Sequence, residues 1–427
     1  MYIVSALIVL VSVYFAYSSN LLRQQQPPDA VTLATAKQQQ QKQHQREAAF
    51  APMSMTSVSE DGLPELRILT QNMFMRPPLI KNNKSDWKDA RLDYFIEHIL
   101  PNYDVVCLQE MFEFASSRRS RLLAAAQKLG FAYYVASERQ FLWNVAIDGG
   151  LAILSRFPVV ASESHVFQRG MGPDWIPKKG VLYAKIGIYA DGAKPLTDPA
   201  LSHVHVFTTH TQASYGEVFI TQPDVKRRLA QLHEFHNFLE SVLPAHRAPG
   251  EPVVLTGDFN VDSRNHELSN PDAVPYEREV EDGIATSDEG AAMMAILEGR
   301  GIDPALLGPD NTDSFKGKTL VELHDSLQER LGYHPVTFGN IVVDAQGAVH
   351  PRETVLTTRM DNMVMHSIDY VLWHNPDAAK AAEIVASLAD VGVTPNFTPG
   401  SSFTQISDHY GVSALVRFAR PKSADLA

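Results

Sequence analysis

The chain has 427 residues, 44% of them hydrophobic and 20% charged, with a formal net charge of −12 and one cysteine, Cys107. That length and apolar content allow a sizeable core in about two to three domain-sized units at most. One cysteine excludes an intramolecular disulfide and argues against a thiolate zinc site, and the acidic balance disfavours a surface that tracks nucleic acid.

Residues 1–22 (MYIVSALIVLVSVYFAYSSNLL) carry no charged side chain. As a helix at ~1.5 Å per residue they reach ~33 Å, about one hydrocarbon thickness. Tyr14 and Tyr17 sit near one end, as interfacial anchors do. Two readings stand: an uncleaved single-pass transmembrane anchor, or a signal peptide cut near Ala16-Tyr17-Ser18, although a basic leader is missing. Arg23 favours a cytosolic body, whereas sequons at Asn83 and Asn396 would suit a lumenal one, so the side of the membrane stays open. Of the 22 residues from Gln24 to Gln45, 9 are Gln, and such a stretch cannot bury enough apolar area to offset its ordering entropy. Residues 23–63 are therefore expected to be a disordered linker.

A globular pattern begins at residue 64 and runs to 427. Short apolar, β-branched runs at 66–72, 104–109, 131–136, 149–154, 181–188, 203–209, 252–257, 367–373 and 411–418 predict strands. Helical spacing appears between them. Trp87, Leu92, Phe95, Ile96 and Ile99 share a face over 86–100, and a second helix spans 118–129. Val225, Leu229, Leu232, Phe235, Leu239 and Val242 mark a third over 223–243. Shorter helices are predicted near 289–299 and 319–330. The alternation argues a layered α/β domain. Residues 261–366 read as long surface loops with small helices.

Five short motifs fall at strand ends, where an α/β scaffold presents its chemistry. Gln71-Asn72 offers an amide to a hard cation or a phosphate. Leu108-Gln109-Glu110 offers a carboxylate suited to an oxygen-only Mg2+ site. Thr209-His210-Thr211-Gln212 offers an imidazole to a phosphate oxygen or a leaving alkoxide. In Gly257-Asp258-Phe259-Asn260, Asp258 and Asn260 lie two apart and point to one side of an extended segment. Ser367-Ile368-Asp369-Tyr370 and Ser407-Asp408-His409-Tyr410 pair carboxylates with a histidine, as a general base requires, or feed acids to a metal. Each alone also fits a turn, a cap or an interior role, and His203 and His205 read as satisfied strand histidines. Together they form a set of carboxylates, carboxamides and two histidines without a thiolate. That set suits Mg2+ or Mn2+ rather than structural zinc, and with a histidine base it points to phosphate-ester hydrolysis.

These motifs resemble the endonuclease/exonuclease/phosphatase superfamily, and within it the neutral sphingomyelinases. The signposts are QN (71–72), LQE (108–110), GGLAILSRFP (149–158), KGVLYAKI (179–186), TTHTQA (208–213), GDFN (257–260), IDYVLW (368–373) and SDHYGV (407–412). The resemblance implies an α/β (α+β) four-layer sandwich, two mixed β-sheets face to face with helices outside. It implies Glu110 as the principal Mg2+ ligand with Asn72 and Asp408 supporting it. It implies Asp258 and Asn260 orienting water and phosphate, His409 as general base held by Asp369, and His210 stabilising phosphorane oxygens or protonating the leaving group. Two features depart from the family: Gly411 stands where many members have proline, and 261–366 has no alignable counterpart, leaving room there for substrate-selecting loops.

The expected activity is Mg2+-dependent hydrolysis of sphingomyelin or a related phosphosphingolipid to ceramide and a phosphorylated head group. A phospholipid or sphingolipid in a membrane is the expected partner, and nucleic acid is not. The alternatives are a DNase-like endonuclease, a phosphoinositide phosphatase, or an inactive tethered binding module. The clusters Arg118-Arg119-Arg121 and Lys226-Arg227-Arg228 are the best support for a polyanion substrate, and their helical setting reads as solvated-face arginine.

Overall fold

Strands that read as unbroken apolar runs must be covered on both faces. The computed structural model describes residues 63–419 except 64, 79, 84, 141–146, 190–201, 215–218, 267–274, 345, 347, 358–362 and 375–384. The N-terminal segment 1–22 and the linker 23–63, Leu63 excepted, lie outside the described residues. Among those described, no helix is long and apolar enough to cross a membrane.

The first sheet contains β1 (Glu65–Asn72), β2 (Val105–Gln109), β3 (Tyr133–Ala136) and β4 (Ala152–Ser155). The second begins with β5 (Val159–Val166), β6 (Gly180–Ile188), β7 (Ser202–His210), β8 (Val253–Asp258), β9 (His324–Asp325) and β10 (Asp369–His374). The chain then returns to the first with β11 (Val385–Thr394) and β12 (Gly411–Ala419). The strand orders are β11-β12-β1-β2-β4-β3 and β5-β6-β7-β8-β10-β9. Each sheet is mixed and holds one parallel pair, β1–β2 in the first and β7–β8 in the second.

Leu66, Ile68, Val105 and Cys107 of the first sheet pack against Val204, Val206, Val254 and Val371 of the second. The outer face of the first sheet lies under α1 (Lys88–Tyr94), which continues as a π-helical turn over Phe95–Ile99, and α2 (Arg118–Lys128). The outer face of the second lies under α3 (Pro223–His246). The predicted face of α3 is the buried one, from Val225 through Val242. The layers are therefore helix, sheet, sheet, helix.

Residues 261–366 hold the small helices expected there, including the one predicted near 289–299, but they are not surface loops alone. α4 (Pro275–Ile284) and α5 (Asp288–Leu297) occur there, and Met293, Ile296, Val321 and Leu323 join the core over the second sheet. The helix predicted over 319–330 shrinks to α6 (Ser326–Leu331), because Asp325 caps it by accepting from the N–H groups of Leu327 and Gln328 at 3.1 and 3.2 Å.

Candidate active site

The two parallel pairs end at the same edge of the sandwich. Asn72 stands opposite Gln109 in register, and His210 opposite Asp258. β10 runs antiparallel to β8, which sets Asp369 opposite Asp258, and β12 runs antiparallel to β1, so His409 enters just ahead of it. Gly257 makes the exit from β8 possible: its φ is +131°, and a Cβ there would meet the Thr209 carbonyl oxygen at 2.2 Å. Below this edge Gln109 Nε2 ties the sheets together, donating to Thr70 Oγ1 at 3.0 Å and Thr208 Oγ1 at 2.9 Å.

All eight residues predicted for the site converge here. His409 Nδ1 donates to Asp369 Oδ2 at 2.9 Å, and its Nε2 lies 3.8 Å from Asp258 Oδ2. His210 Nε2 lies 3.5 Å from that same oxygen, and Asn72 Nδ2 donates to it at 2.9 Å. Asn72 also reaches Glu110 Oε1 at 3.4 Å, while its own oxygen accepts from Phe74 N–H at 2.9 Å. The amide thus bridges two carboxylates through its nitrogen. Asn260 sits at φ +52° and donates its backbone N–H to Asp258 Oδ1 at 2.9 Å and its Nδ2 to the Thr211 carbonyl at 3.1 Å.

The electrostatics separate the two histidines. Burial opposes charge on His409, but Asp369 and Asp258 outweigh it and push its pKa up to about 10. Burial, with Lys179 and His409 nearby, drives His210 well below the ordinary histidine range, so it is neutral. Burial raises Asp258 to about 6 against the pull of His409. Burial raises Asp408 to about 7, with Glu110 adding to the shift, and burial also raises Glu110.

Asp258, Asp369 and His409 present ligand atoms within 4.8 Å of one another. Glu110 Oε2 and Asp369 Oδ1 are buried without a hydrogen-bond partner among the described residues. Unpaired buried carboxylate oxygen is costly without a cation to offset it, so the donor set fits an oxygen-preferring divalent ion.

Several residues that brace the site carry no strand-end signature. Thr337 Oγ1 accepts from the N–H groups of Ile368 and Asp369, both at 3.0 Å. The Phe338 ring lies against His409, centroid to centroid 4.7 Å. Arg91 is fully buried and donates to the carbonyls of Met73, Phe74 and Ile406, tying the loop after β1 to the one before β12. Lys179 donates to Asp174 Oδ2 at 2.8 Å and to the Thr211 carbonyl at 2.7 Å; its KKG context ahead of β6 was the available signal. Gly411 is buried, and a Cβ there would crowd Gln71 Oε1 at 2.9 Å. His203 and His205 both bond Glu251, as strand histidines with a partner.

Of the two basic clusters, Arg119 and Arg228 depart from the solvated-face reading, while Arg121 is exposed as expected. Arg119 is buried between Glu113 and Asp148, and Arg228 is buried against Glu289. Arg118 and Arg121 pair with Asp89. Arg119 and Arg228 are thus neutralised within the fold rather than presented to a polyanion, and Arg118 and Arg121 share a surface carboxylate.

Residues 69–409 match the Endonuclease/Exonuclease/phosphatase family. A sphingomyelinase of Dictyostelium discoideum is 29% identical over 381 residues, covering 79% of this chain and 76% of that protein. Sphingomyelinase C of Bacillus cereus is 30% identical over 218 residues, which is 48% of this chain and 60% of that protein. The crystal structure of sphingomyelinase C from Streptomyces griseocarneus superposes with a TM-score of 0.51 at 22% identity, covering 82% of this chain and 99% of that one, a likeness of fold. With the match spanning both sheets and every site motif from Asn72 to His409, the chain belongs to the Endonuclease/Exonuclease/phosphatase family, as a phosphodiester hydrolase similar in sequence to sphingomyelinases.

Proposed function

We propose that the chain is a Mg2+-dependent phosphodiesterase of the phospholipase C type, hydrolysing sphingomyelin or a related phosphosphingolipid to ceramide and a phosphorylated head group. The observation that carries the chemistry is the buried group of Asp258, Asp369 and His409 facing Glu110. The names of the relatives support the lipid substrate. Mg2+, or Mn2+ in its place, would supply charge neutralisation to the phosphoryl group and its leaving alkoxide. Glu110 would hold it, with Asp408 and Asn72 alongside. His409, oriented by Asp369, takes the proton of the attacking water. Asp369 and Asp258 keep that imidazole protonated up to about 10, and a cation held by Glu110 would lower that value. Asp258 and Asn260 orient the water and a phosphoryl oxygen. His210, neutral, serves as a hydrogen-bond donor to the phosphorane oxygens rather than as a proton source.

The reading extends to location. An uncharged segment 1–22 retained as a single-pass anchor would keep the site at the bilayer, raising the effective concentration of a lipid substrate. Both sequon asparagines are hydrogen-bonded within the fold. The Asn83 amide donates to the carbonyls of Val355 and Thr357, and the Asn396 amide to Gln71 Oε1.

The test is hydrolysis of vesicles containing sphingomyelin, phosphatidylcholine or phosphoinositide, with plasmid DNA in parallel, in Mg2+ and in EDTA. The expected result is ceramide and phosphocholine from sphingomyelin vesicles, abolished by EDTA. Turnover in EDTA, or plasmid nicking without ceramide release, overturns the proposal.

A further inference from the structure

We propose a second divalent-metal site, of the zinc and cobalt class, formed by Asp262, His266 and His366 beside the catalytic group. One donor atom from each residue lies within 4.8 Å of the other two. His266 Nε2 stands 2.7 Å and His366 Nε2 3.7 Å from the same oxygen, Asp262 Oδ2. The two rings are tilted by 57° with centroids 5.6 Å apart, so they converge at their edges instead of stacking.

The carboxylate is already oriented. Asp262 Oδ1 accepts from the N–H groups of Arg264 at 3.1 Å and Ser367 at 2.9 Å, which leaves Oδ2 for the imidazoles. A second carboxylate backs one of them: Asp282, 1% exposed, places Oδ2 3.5 Å from His266 Nδ1. A carboxylate on the far nitrogen of a ligating histidine is the usual support of a metal-bound imidazole, fixing its tautomer and raising its basicity.

The donor set decides the ion. Two imidazole nitrogens and one carboxylate oxygen suit zinc or cobalt, whereas the Glu110 side offers oxygen alone and suits Mg2+. The imidazole side chains are 40% and 31% exposed, so an ion has a path in and three protein ligands leave a position for water.

The two flanks of the site come from different segments. Asp262 and His266 follow Asp258 and Asn260 out of β8, and His366 leads into Asp369 at the start of β10. A bound ion therefore staples the segments that carry three residues of the catalytic group. Its contact with His409 runs through one ring: Phe338 lies 6.1 Å from His366 and 4.7 Å from His409, centroid to centroid.

The test uses the full chain in excess Mg2+, titrated with Co2+ and followed by visible absorption and thermal melting. One equivalent should produce a d–d band, raise Tm, and be displaced by Zn2+. H266Q and H366Q should each abolish the band while leaving Mg2+-dependent hydrolysis within about twofold. Asp282→Asn, which reaches the site through the second nitrogen of His266 and also lies 4.0 Å from Arg264 Nη2, should weaken Co2+ binding about 10–100-fold. E110Q should keep the band. Absence of a band at one equivalent, its persistence in H266Q and H366Q, or its loss in E110Q overturns the proposal, the last by assigning cobalt to the catalytic carboxylates.

Discussion

The parallel pair of the first sheet ends on oxygen and amide groups, Asn72 and Glu110, whereas that of the second ends on an imidazole and a carboxylate, His210 and Asp258. Both edges meet at one site, and the sheets touch there through Asn72 reaching Asp258. Yet they hold different charge. Among the described residues each side keeps one buried carboxylate oxygen without a partner, Glu110 Oε2 on the first and Asp369 Oδ1 on the second, but on the second Asp258 is also surrounded by Asn72 and two imidazoles within 3.8 Å. The difference supports the proposed division of labour, in which one sheet would hold a cation and the other would move protons. If it holds, a variant on one side can fail without disturbing the job of the other.

The largest expected effect is on the cation side. Glu110→Gln should lower kcat/KM by more than the ~10⁴-fold top of the range for acid–base groups, with Mg2+ affinity measured by calorimetry falling in parallel. Rescue by excess Mg2+ would show that Glu110 is one ligand among several equals. Next comes His409→Ala, expected to cost about 10²–10⁴-fold in kcat. Its Mg2+ affinity should stay within about twofold. Loss of Mg2+ binding in His409→Ala would break the comparison, because the Asp258, Asp369 and His409 group would then be the cation site itself.

The same asymmetry explains what the sequence made legible. GDFN and SDHY announce themselves because their chemistry is local: a glycine that only a sharp exit needs, followed by side chains two apart on one side of the chain. Thr337 announces nothing. It is one threonine in HPVTFGN, and it meets Asp369 only through the tertiary fold. The edge strands β5 and β11 were missed for a related reason. β5 is half-exposed with Ser162, Glu163 and Ser164 in mid-run, and the register of β11 shifts between Leu388 and Asp390, which breaks the alternation of two. Arg119 and Arg228 read as solvated because the acids that bury them arrive from elsewhere in the chain, Asp148 and Glu289.

Thr337 supplies a smaller test of the proton side. Thr337→Val keeps the shape but leaves the N–H groups of Ile368 and Asp369 without their acceptor, at a cost of about 1–3 kcal/mol in stability. As a positioning residue it should lower kcat about tenfold through Asp369 and His409, a loss of ~1.4 kcal/mol in transition-state stabilisation. Thr337→Ser should restore both. An unchanged pH–rate profile in Thr337→Val would show that Asp369 is held in place by other contacts.

The smallest effect concerns Asp408, and its sign differs with and without the cation. Burial lifts this carboxyl from 3.8 to about 7, so the folded state resists its ionisation. A buried acid with a raised folded pKa carries no penalty below the unfolded value of 3.8, and the penalty grows until the pH passes about 7. Metal-free Asp408→Asn should therefore melt several degrees higher than the parent at pH 8, and no higher at pH 3.5. Saturating Mg2+ should reverse the order at pH 8, because a cation offsets the charge on Asp408 and leaves the asparagine variant with less to gain. Equal Mg2+ stabilisation of both proteins would remove Asp408 from the cation side and leave Glu110 to hold the ion without it.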